Sequence, residues 1–352
     1  MSRILVRGMG AVSPAGWGVE AMRAALEKAQ PLPTTSIARP DWKDAPSVRT
    51  VPPPATRPAF LGHPRLRRAS PIAQHLVAAA YEALGNEATL VQAGGLRLGM
   101  VVCLLSGCVL YSRRFFEEVL REPATASPLI FPETVFNAPA SHLAAMLGSN
   151  GISYSIVGDD GAFLQGLALA AQWLRQGQVD GCLVIGSEEL DWLVVDARRL
   201  FQRSSVASAG AGAVYLKLQP ASSGFRVSTA STPVIELACV TDSVPFSTES
   251  KRALAARKMR AQLPASRAGE LLCLSTQGVP KSDAAELGAW TDWCEPRLAP
   301  KRILGEAFTA SAAWQCIAAC EALHRGEFTA ANVSVVGVNQ QAIGARFLKT
   351  DL

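Results

Sequence analysis

The sequence predicts a layered α/β fold with mostly parallel sheets. Short apolar runs at 98–103, 152–157 and 181–185 have the length of buried strands. Segments with helical spacing separate them, and the alternation continues almost throughout the chain. Nearly half of the 352 residues (49%) are apolar, which supplies the core that sheets covered on both faces require.

Taken in order, residues 4–7 form a short strand, and a helix over 19–29 places Met22, Ala25 and Leu26 along one side. Residues 31–62 are rich in proline, with Pro52, Pro53 and Pro54 consecutive. They read as extended or looped, because proline fixes φ and lacks an N–H. Pro71 suits the first turn of a helix that runs to Leu84. The apolar stretch 98–111 reads as a buried strand, and 114–120 as a helix. Strand 152–157 is followed by a helix over 160–176, which Gly177 ends. Further strands fall at 181–185 and 211–218. A Ser/Pro/Gly-rich bridge at 220–224 marks the midpoint. Strands near 234–240 and 271–274, a long helix at 309–323, and strands at 333–336 and 346–349 complete the chain.

Composition excludes several classes of function. The longest apolar stretch falls short of the roughly 18 residues of a membrane span, and no secretory signal opens the chain, so a cytoplasmic protein is expected. The eight cysteines contain no C-x-x-C pair and the four histidines no ligand spacing, so no metal is implied. Cys316 and Cys320 lie one helical turn apart in an apolar helix and read as buried small hydrophobes. The net charge of +5 is mild, with arginines clustered at 65–68, 113–114, 198–203 and 252–260. Without a nucleic-acid motif these clusters read as solvated faces, or as contacts to a small acidic protein.

Four segments, in order along the chain, resemble the β-ketoacyl synthases of fatty-acid and polyketide synthesis. They are VRGMGAVSPAGWGVEAMRAAL (6–26), SPLIFPETVFNAPASHLAAMLGSNG (127–151), SAGAGAVYLKL (208–218) and QGVPKSDAAEL (277–287). The resemblance implies a thiolase-like five-layer α-β-α-β-α sandwich built from two similar halves, normally dimeric. The halves would be 1–219, carrying the insertion 31–62, and a shortened 225–352.

The family's chemistry needs a cysteine thiolate at a helix N-terminus to hold the acyl chain. It also needs two histidines to support decarboxylation of a malonyl thioester. All three positions differ here. Spacing from Gly151 puts Asp160, in SIVGDDGAFLQ, at the cysteine position. LSTQGVPKSD puts Ser275 where the first histidine belongs, and KRILGEAFTA keeps Lys301 and Gly305 but puts Glu306 at the second. The glycine-rich loop near the C-terminus has become Gly337, Val338 and Asn339, candidates for the acyl pocket or its loop. An acyl-aspartate would be a mixed anhydride, far more prone to hydrolysis than a thioester. An ionised Glu306 would repel the malonyl carboxylate by ~3 kcal/mol at about 5 Å and an effective dielectric near 20. Asp160 therefore reads as a helix cap.

These changes resemble those of chain-length factors, which lack the cysteine and pair with an active ketosynthase; those proteins often carry glutamine where this chain has Asp160. The expectation is a non-condensing partner of an active ketosynthase, as heterodimer or heterotetramer, in fatty-acid, polyketide or polyene synthesis. It would have no cofactor and no metal, and an acyl carrier protein would be a further partner. The dimer surface would include strand 152–157 and the helix around 138–147, and Arg198, Arg199 and Arg203 are candidates for a carrier-protein patch. An alternative is a carrier-thioester hydrolase or decarboxylase using Asp160 and Glu306. His142 reads as a core or dimer-contact residue, and Glu188 and Glu189 as hydrogen-bonding loop acids.

Overall fold

Successive residues of a strand face opposite sides of its sheet, and in this chain the two sides meet different cores. The computed structural model describes residues 2–39, 43, 45–200, 205–219, 233–338 and 340–350. Five strands come from the first part: β1 (Arg3–Ser13), β2 (Leu98–Leu104), β3 (Ser153–Val157), β4 (Gly181–Glu188) and β5 (Gly210–Gln219). Five come from the second: β6 (Val234–Val240), β7 (Glu270–Leu274), β8 (Arg297–Leu298), β9 (Ala330–Val336) and β10 (Gln341–Thr350).

The first set lies in the order β3-β2-β4-β5-β1, and the second in the order β8-β7-β9-β10-β6. The two orders are the same order. In each set the first three strands are parallel and the last two antiparallel. Antiparallel pairing of Leu5 with Glu236 and Val6 with Ile235 joins the sets edge to edge. This is the repeated α/β architecture that the resemblance implies. The expected midpoint at 220–224 lies outside the described residues.

The helices are α1 (Val19–Lys28), α2 (Pro71–Leu84), α3 (Val109–Arg121), α4 (Ala138–Leu147), α5 (Gly161–Arg175), α6 (Trp192–Leu200), α7 (Glu249–Arg260), α8 (Pro280–Ala289) and α9 (Phe308–His324). Val101 and Cys103 of β2 and Val184 of β4 point into a central core shared with Phe163, Leu164 and Leu167 of α5 and Trp314 and Ile317 of α9. Met100, Val102, Leu183 and Ile185 point the other way, to Ile72 and Leu76 of α2 and Leu143 of α4. On the far side, Leu272 and Leu274 meet Ala256 and Met259 of α7 and Trp290 just after α8. Among the described residues, these three large cores lie between the strand and helix layers. Helix α9 is apolar all round because sheet or helix surrounds it. Cys316 and Cys320 lie within it, fully buried, and burial pushes both thiols well above their ordinary range. Among the described residues no helix is long and apolar enough to cross a membrane.

Two differences from the sequence reading have a local cause. The apolar stretch 98–111 is not one strand: β2 stops at Leu104, Gly107 takes φ 64°, and Val109 begins α3. Helix α7 is not predicted from the sequence because its residues, ESKRALAARKMR, are strongly charged. Two of those charges, Arg252 and Arg260, are buried and bond to backbone carbonyls, Arg252 to Gly337 and Arg260 to Leu263.

Candidate functional site

Helix α5 begins where β3 ends, and the turn between them carries Asp159 and Asp160, both fully buried. The exposed N–H groups of a helix start favour an anion there. The residue that fills this capping role is Asp159, not Asp160. Asp159 Oδ1 accepts from the Gly161 N–H at 3.2 Å, whereas Asp160 has helical φ and ψ and makes no side-chain cap. The expectation that Asp160 caps the helix is thus corrected by one position.

Asp160 turns instead toward the second half of the chain. The Lys301 ammonium, on the short helix Pro300–Leu304, donates to Asp160 Oδ2 and, at 2.8 Å, to Glu306 Oε2. All three groups are buried. Glu306 also accepts from the Phe308 N–H at 2.8 Å and from the Gln277 side-chain amide. Its backbone is held by Val206 and Ser208, at 2.8 and 2.9 Å. Two of the three positions that the resemblance assigns to the family's catalytic residues therefore meet, and a lysine lies between them.

Ser275 is oriented elsewhere. Its hydroxyl donates to Glu286 Oε2 at 2.6 Å and accepts from the Val336 N–H at 3.1 Å, and its own N–H bonds Glu286 Oε1 at 3.0 Å. Glu286 is buried beneath it and also accepts from Ser334 at 2.6 Å. The hydroxyl is thus committed to the strand layer. The residue that reaches Glu306 from this segment is Gln277, two positions on.

The electrostatics follow from burial. Burial pushes the Glu306 carboxyl up, the nearby Asp160 adds to that, and Lys301 and Arg198 oppose it. Burial alone would lower the Lys301 ammonium, but Asp160 and Glu306 outweigh it and hold the group above its usual range. A lysine so held stays protonated and is neither base nor nucleophile. Asp159 is pushed up to about 6, first by burial and then by the charge of Asp160 beside it.

Arg198 requires a correction. It was expected on a carrier-docking surface, but it is buried on α6, bonded to Ser205, with its guanidinium 5.2 Å from the Phe308 ring centre. Burial lowers it, while Glu306 and Asp160 act to raise it. It is a second cation for the acid pair and not a docking residue. Arg199, next to it, is exposed, and Arg203 lies outside the described residues. Of the loop candidates, Gly337 is buried against Asp159, where an added Cβ would lie 2.0 Å from Oδ2. Val338 is half-buried, and Asn339 lies outside the described residues.

Glu188 and Glu189 are hydrogen-bonding acids, as the sequence suggested, and both are buried. Glu188 accepts from Leu105 N–H (2.6 Å), Ser106 N–H (3.0 Å) and Thr309 Oγ1 (3.1 Å), tying β2 and α9 to the end of β4. Glu189 accepts from Ile72 and Leu110, in the first turns of α2 and α3. His142 is buried on α4 and bonds Glu133 at 2.8 Å. Burial pushes Glu188 up to about 7. A raised carboxyl favours the folded state below its unfolded value near 4.5, and that contribution is lost as pH rises through 7. Chemical denaturation of wild type and Glu188→Gln at pH 5 and 8 checks this. Wild type should lose up to about 3 kcal/mol relative to the variant between the two conditions.

Comparison with known proteins gives the family of the chain. Residues 1–215 match the model of the β-ketoacyl synthase N-terminal domain. The chain belongs to the β-ketoacyl synthase family. A comparison with curated proteins returns no match. Solved structures share the fold at low identity. A β-ketoacyl synthase from Burkholderia phymatum STM815 superposes with a TM-score of 0.79 at 17% identity, covering all of both chains. The ishigamide ketosynthase/chain length factor gives 0.78 at 18%, covering 99% of this chain and 100% of that one. A structure of a type II polyketide synthase acyl-carrier protein in complex with its ketosynthase bound to the hexaketide gives 0.78 at 16%, covering 99% of both. The thiolase-like fold expected from the motifs is therefore the fold of this synthase homologue.

Sequence reasoning located Asp160 and Glu306 but missed the groups that link them. Lys301 was read only as a surviving motif residue. The signal was available: two acids at positions that the resemblance assigns to a thiol and an imidazole require a buried cation, and Lys301 lies five residues before Glu306.

Proposed function

We propose that this ketosynthase-family chain does not condense acyl units itself, and that it acts as the chain-length-factor-like partner of an active ketosynthase. The observation that carries the reading is the Asp160–Lys301–Glu306 bridge. The place of the thiolate is held by a carboxylate already neutralised by an ammonium, and the place of an imidazole donor by an acceptor. Ser275 adds no free donor, since its hydroxyl is spent on Glu286. On this reading the chain divides at 220–224 into halves 1–219 and 225–352, serves fatty-acid, polyketide or polyene synthesis, and resides in the cytoplasm.

The partner surface proposed is the outer edge of β3 with α4 beside it. Tyr154 and Val157 are exposed on that strand, and Ile152 just before it, leaving an apolar edge that pairs with no further strand among the described residues. Such an edge is covered in a stable protein. For the carrier protein we propose the exposed Arg199 together with the exposed Arg65, Arg67 and Arg68. Two solved structures of similar fold, the ishigamide ketosynthase/chain length factor and an acyl-carrier protein in complex with its ketosynthase, support this reading.

Intact-mass analysis after incubation with malonyl- and medium-chain acyl-carrier proteins tests the non-condensing part; no acyl adduct and no carbon dioxide release are expected. Co-expression with a ketosynthase should yield a stoichiometric complex, and a stable homodimer that excludes the ketosynthase overturns the reading. Tyr154→Asp places a charge on the proposed edge. It should abolish co-purification while leaving the circular dichroism spectrum unchanged.

One observation favours a second reading, hydrolysis or decarboxylation of a carrier thioester. Asp160 Oδ1 is buried and accepts no hydrogen bond among the described residues. A saturable reaction lost in Asp160→Asn would establish it.

A further inference from the structure

The cations of α7 divide into two sets. Arg252 and Arg260 face inward. Arg252 donates to Ser282 O at 2.7 Å, at the start of α8. Arg260 stacks over the Trp290 ring at 4.4 Å and donates to Asp292 at 2.7 Å, just past the end of α8. The two helices therefore begin and end side by side and run parallel. Lys251, Arg257 and Lys258 face water, as does Lys281 on α8. The carboxylates of the two helices, and Asp292 beyond them, are already committed. Glu249 pairs with Arg252, Asp292 with Arg260 and Asp283 with Arg302, and Glu286 is buried under Ser275. Lys251, Arg257, Lys258 and Lys281 enter no ion pair among the described residues.

Helix electrostatics explains only part of this surface. Cations in a last turn suit the macrodipole, which accounts for Arg257 and Lys258. Lys251 and Lys281 lie in first turns, where the N–H end of the helix opposes a positive charge. An anion from outside would offset that repulsion. Between the helices runs a shallow groove of about 450 Å³, lined by Arg257, Ala261, Gly288, Ala289 and Thr291. A Cβ on Gly288 would meet nothing, so an occupant can approach the backbone there. Leu254 is 45% exposed among the cations, and the spacing of Lys251, Leu254 and Lys258 puts all three along one side of α7.

A small anion would use the charges and leave Leu254 uncovered. A lipid surface calls for a broad apolar face, and here there is one leucine. We propose that the α7–α8 face is a docking surface for an acidic amphipathic helix of another protein. The helix lies along the groove, with carboxylates toward Lys251, Arg257, Lys258 and Lys281 and an apolar side chain on Leu254. Helix α7 packs against β10, whereas the edge of β3 lies at the far end of the first half. The surface is thus separate from the proposed ketosynthase edge and does not rest on that reading.

Fluorescence anisotropy tests the proposal, with the full chain titrated into a labelled synthetic helix that carries glutamates along one face and leucines beside them. Binding should saturate, and should weaken several-fold between ~50 and ~300 mM salt. Arg257→Glu/Lys258→Glu turns attraction into repulsion and should weaken binding by about tenfold or more. Leu254→Ser should weaken it about threefold and keep the salt dependence. These side chains are exposed, so both variants should keep the wild-type circular dichroism spectrum. No saturable binding, or equal binding by wild type and the double variant, overturns the proposal. An ineffective Leu254→Ser does so too, since charge alone then holds the peptide. If Arg65→Glu/Arg67→Glu/Arg68→Glu abolishes binding and the α7 variant does not, the peptide belongs to the other cluster. Sedimentation with phosphatidylglycerol vesicles separates the lipid case: vesicle capture that needs Arg257 and Lys258, without peptide binding, assigns the face to membrane and sinks the helix. Tyr154→Asp should leave peptide binding unchanged even if the ketosynthase reading fails, and a loss there moves the peptide to the β3 edge and overturns the α7 site.

Discussion

Lys301→Ala should destabilise the protein by about 3–5 kcal/mol, the largest single effect expected at the site. The variant leaves Asp160 and Glu306 buried without their shared cation. Each then either stays charged at a cost of several kcal/mol or takes up a proton and loses its partner. Arg198 is close enough to act on both acids but bonds neither among the described residues, so it compensates only in part. Thermal unfolding should fall by on the order of 10 °C. The companion variant Asp160→Asn/Lys301→Met/Glu306→Gln removes all three charges while keeping their shapes, and should recover most of the loss, because a buried ion pair is worth little against a neutral replacement. If both variants are equally unstable, packing and not charge holds the site. If neither is destabilised, the cluster meets enough water to solvate its charges.

Gly186→Ala should cost about 3 kcal/mol, near the upper end for overpacking a core. Gly186 lies in β4, and a Cβ there would stand 2.3 Å from the Thr309 carbonyl oxygen and 2.6 Å from its carbon. The obstacle is helix backbone, which cannot rotate away. Thr309 lies in the first turn of α9 and is pinned by bonds to Cys103 O at 2.8 Å and Glu188 at 3.1 Å. Just before it Phe308 takes φ +44°, a strained conformation for a side-chain-bearing residue. Pushing α9 away moves the Glu306–Phe308 loop with it. Gly288→Ala is the control: that glycine is exposed in α8 with nothing near its Cβ position, so alanine should be neutral or stabilise by up to about 1 kcal/mol. Denaturant melts of the two variants measure the contrast, and equal stability would mean that α9 yields to β4.

The alternating elements were legible because both kinds of period survive in buried segments. The strand expected at 234–240 is β6 in full, and the helix expected at 309–323 is α9 within one residue at each end. The charged helix α7 was not legible, since its buried arginines look like surface residues until the carbonyls they bond are known. The same limit explains Arg198. A cluster of arginines at 198–203 reads as a basic patch, yet α6 turns one of them inward against Phe308. Asp160 was misread as a cap for a related reason: two adjacent aspartates open the helix, and only the fold decides which one the Gly161 N–H meets.

By itself the sequence determined the layered α/β class, the family resemblance and the residue types at the positions that the resemblance assigns to the family's cysteine and histidines. These depend on residue type and spacing along the chain. The tertiary structure decided how the side chains there are arranged: that Lys301 joins Asp160 to Glu306, that Ser275 faces Glu286, and that Asp159 bonds to Gln340 and Gln341. Those are contacts between residues up to 182 positions apart, as for Asp159 and Gln341. Spacing can bring such residues to the same end of a sheet, but the direction of each side chain is settled only when burial forces every charge and hydrogen-bonding group to find a partner.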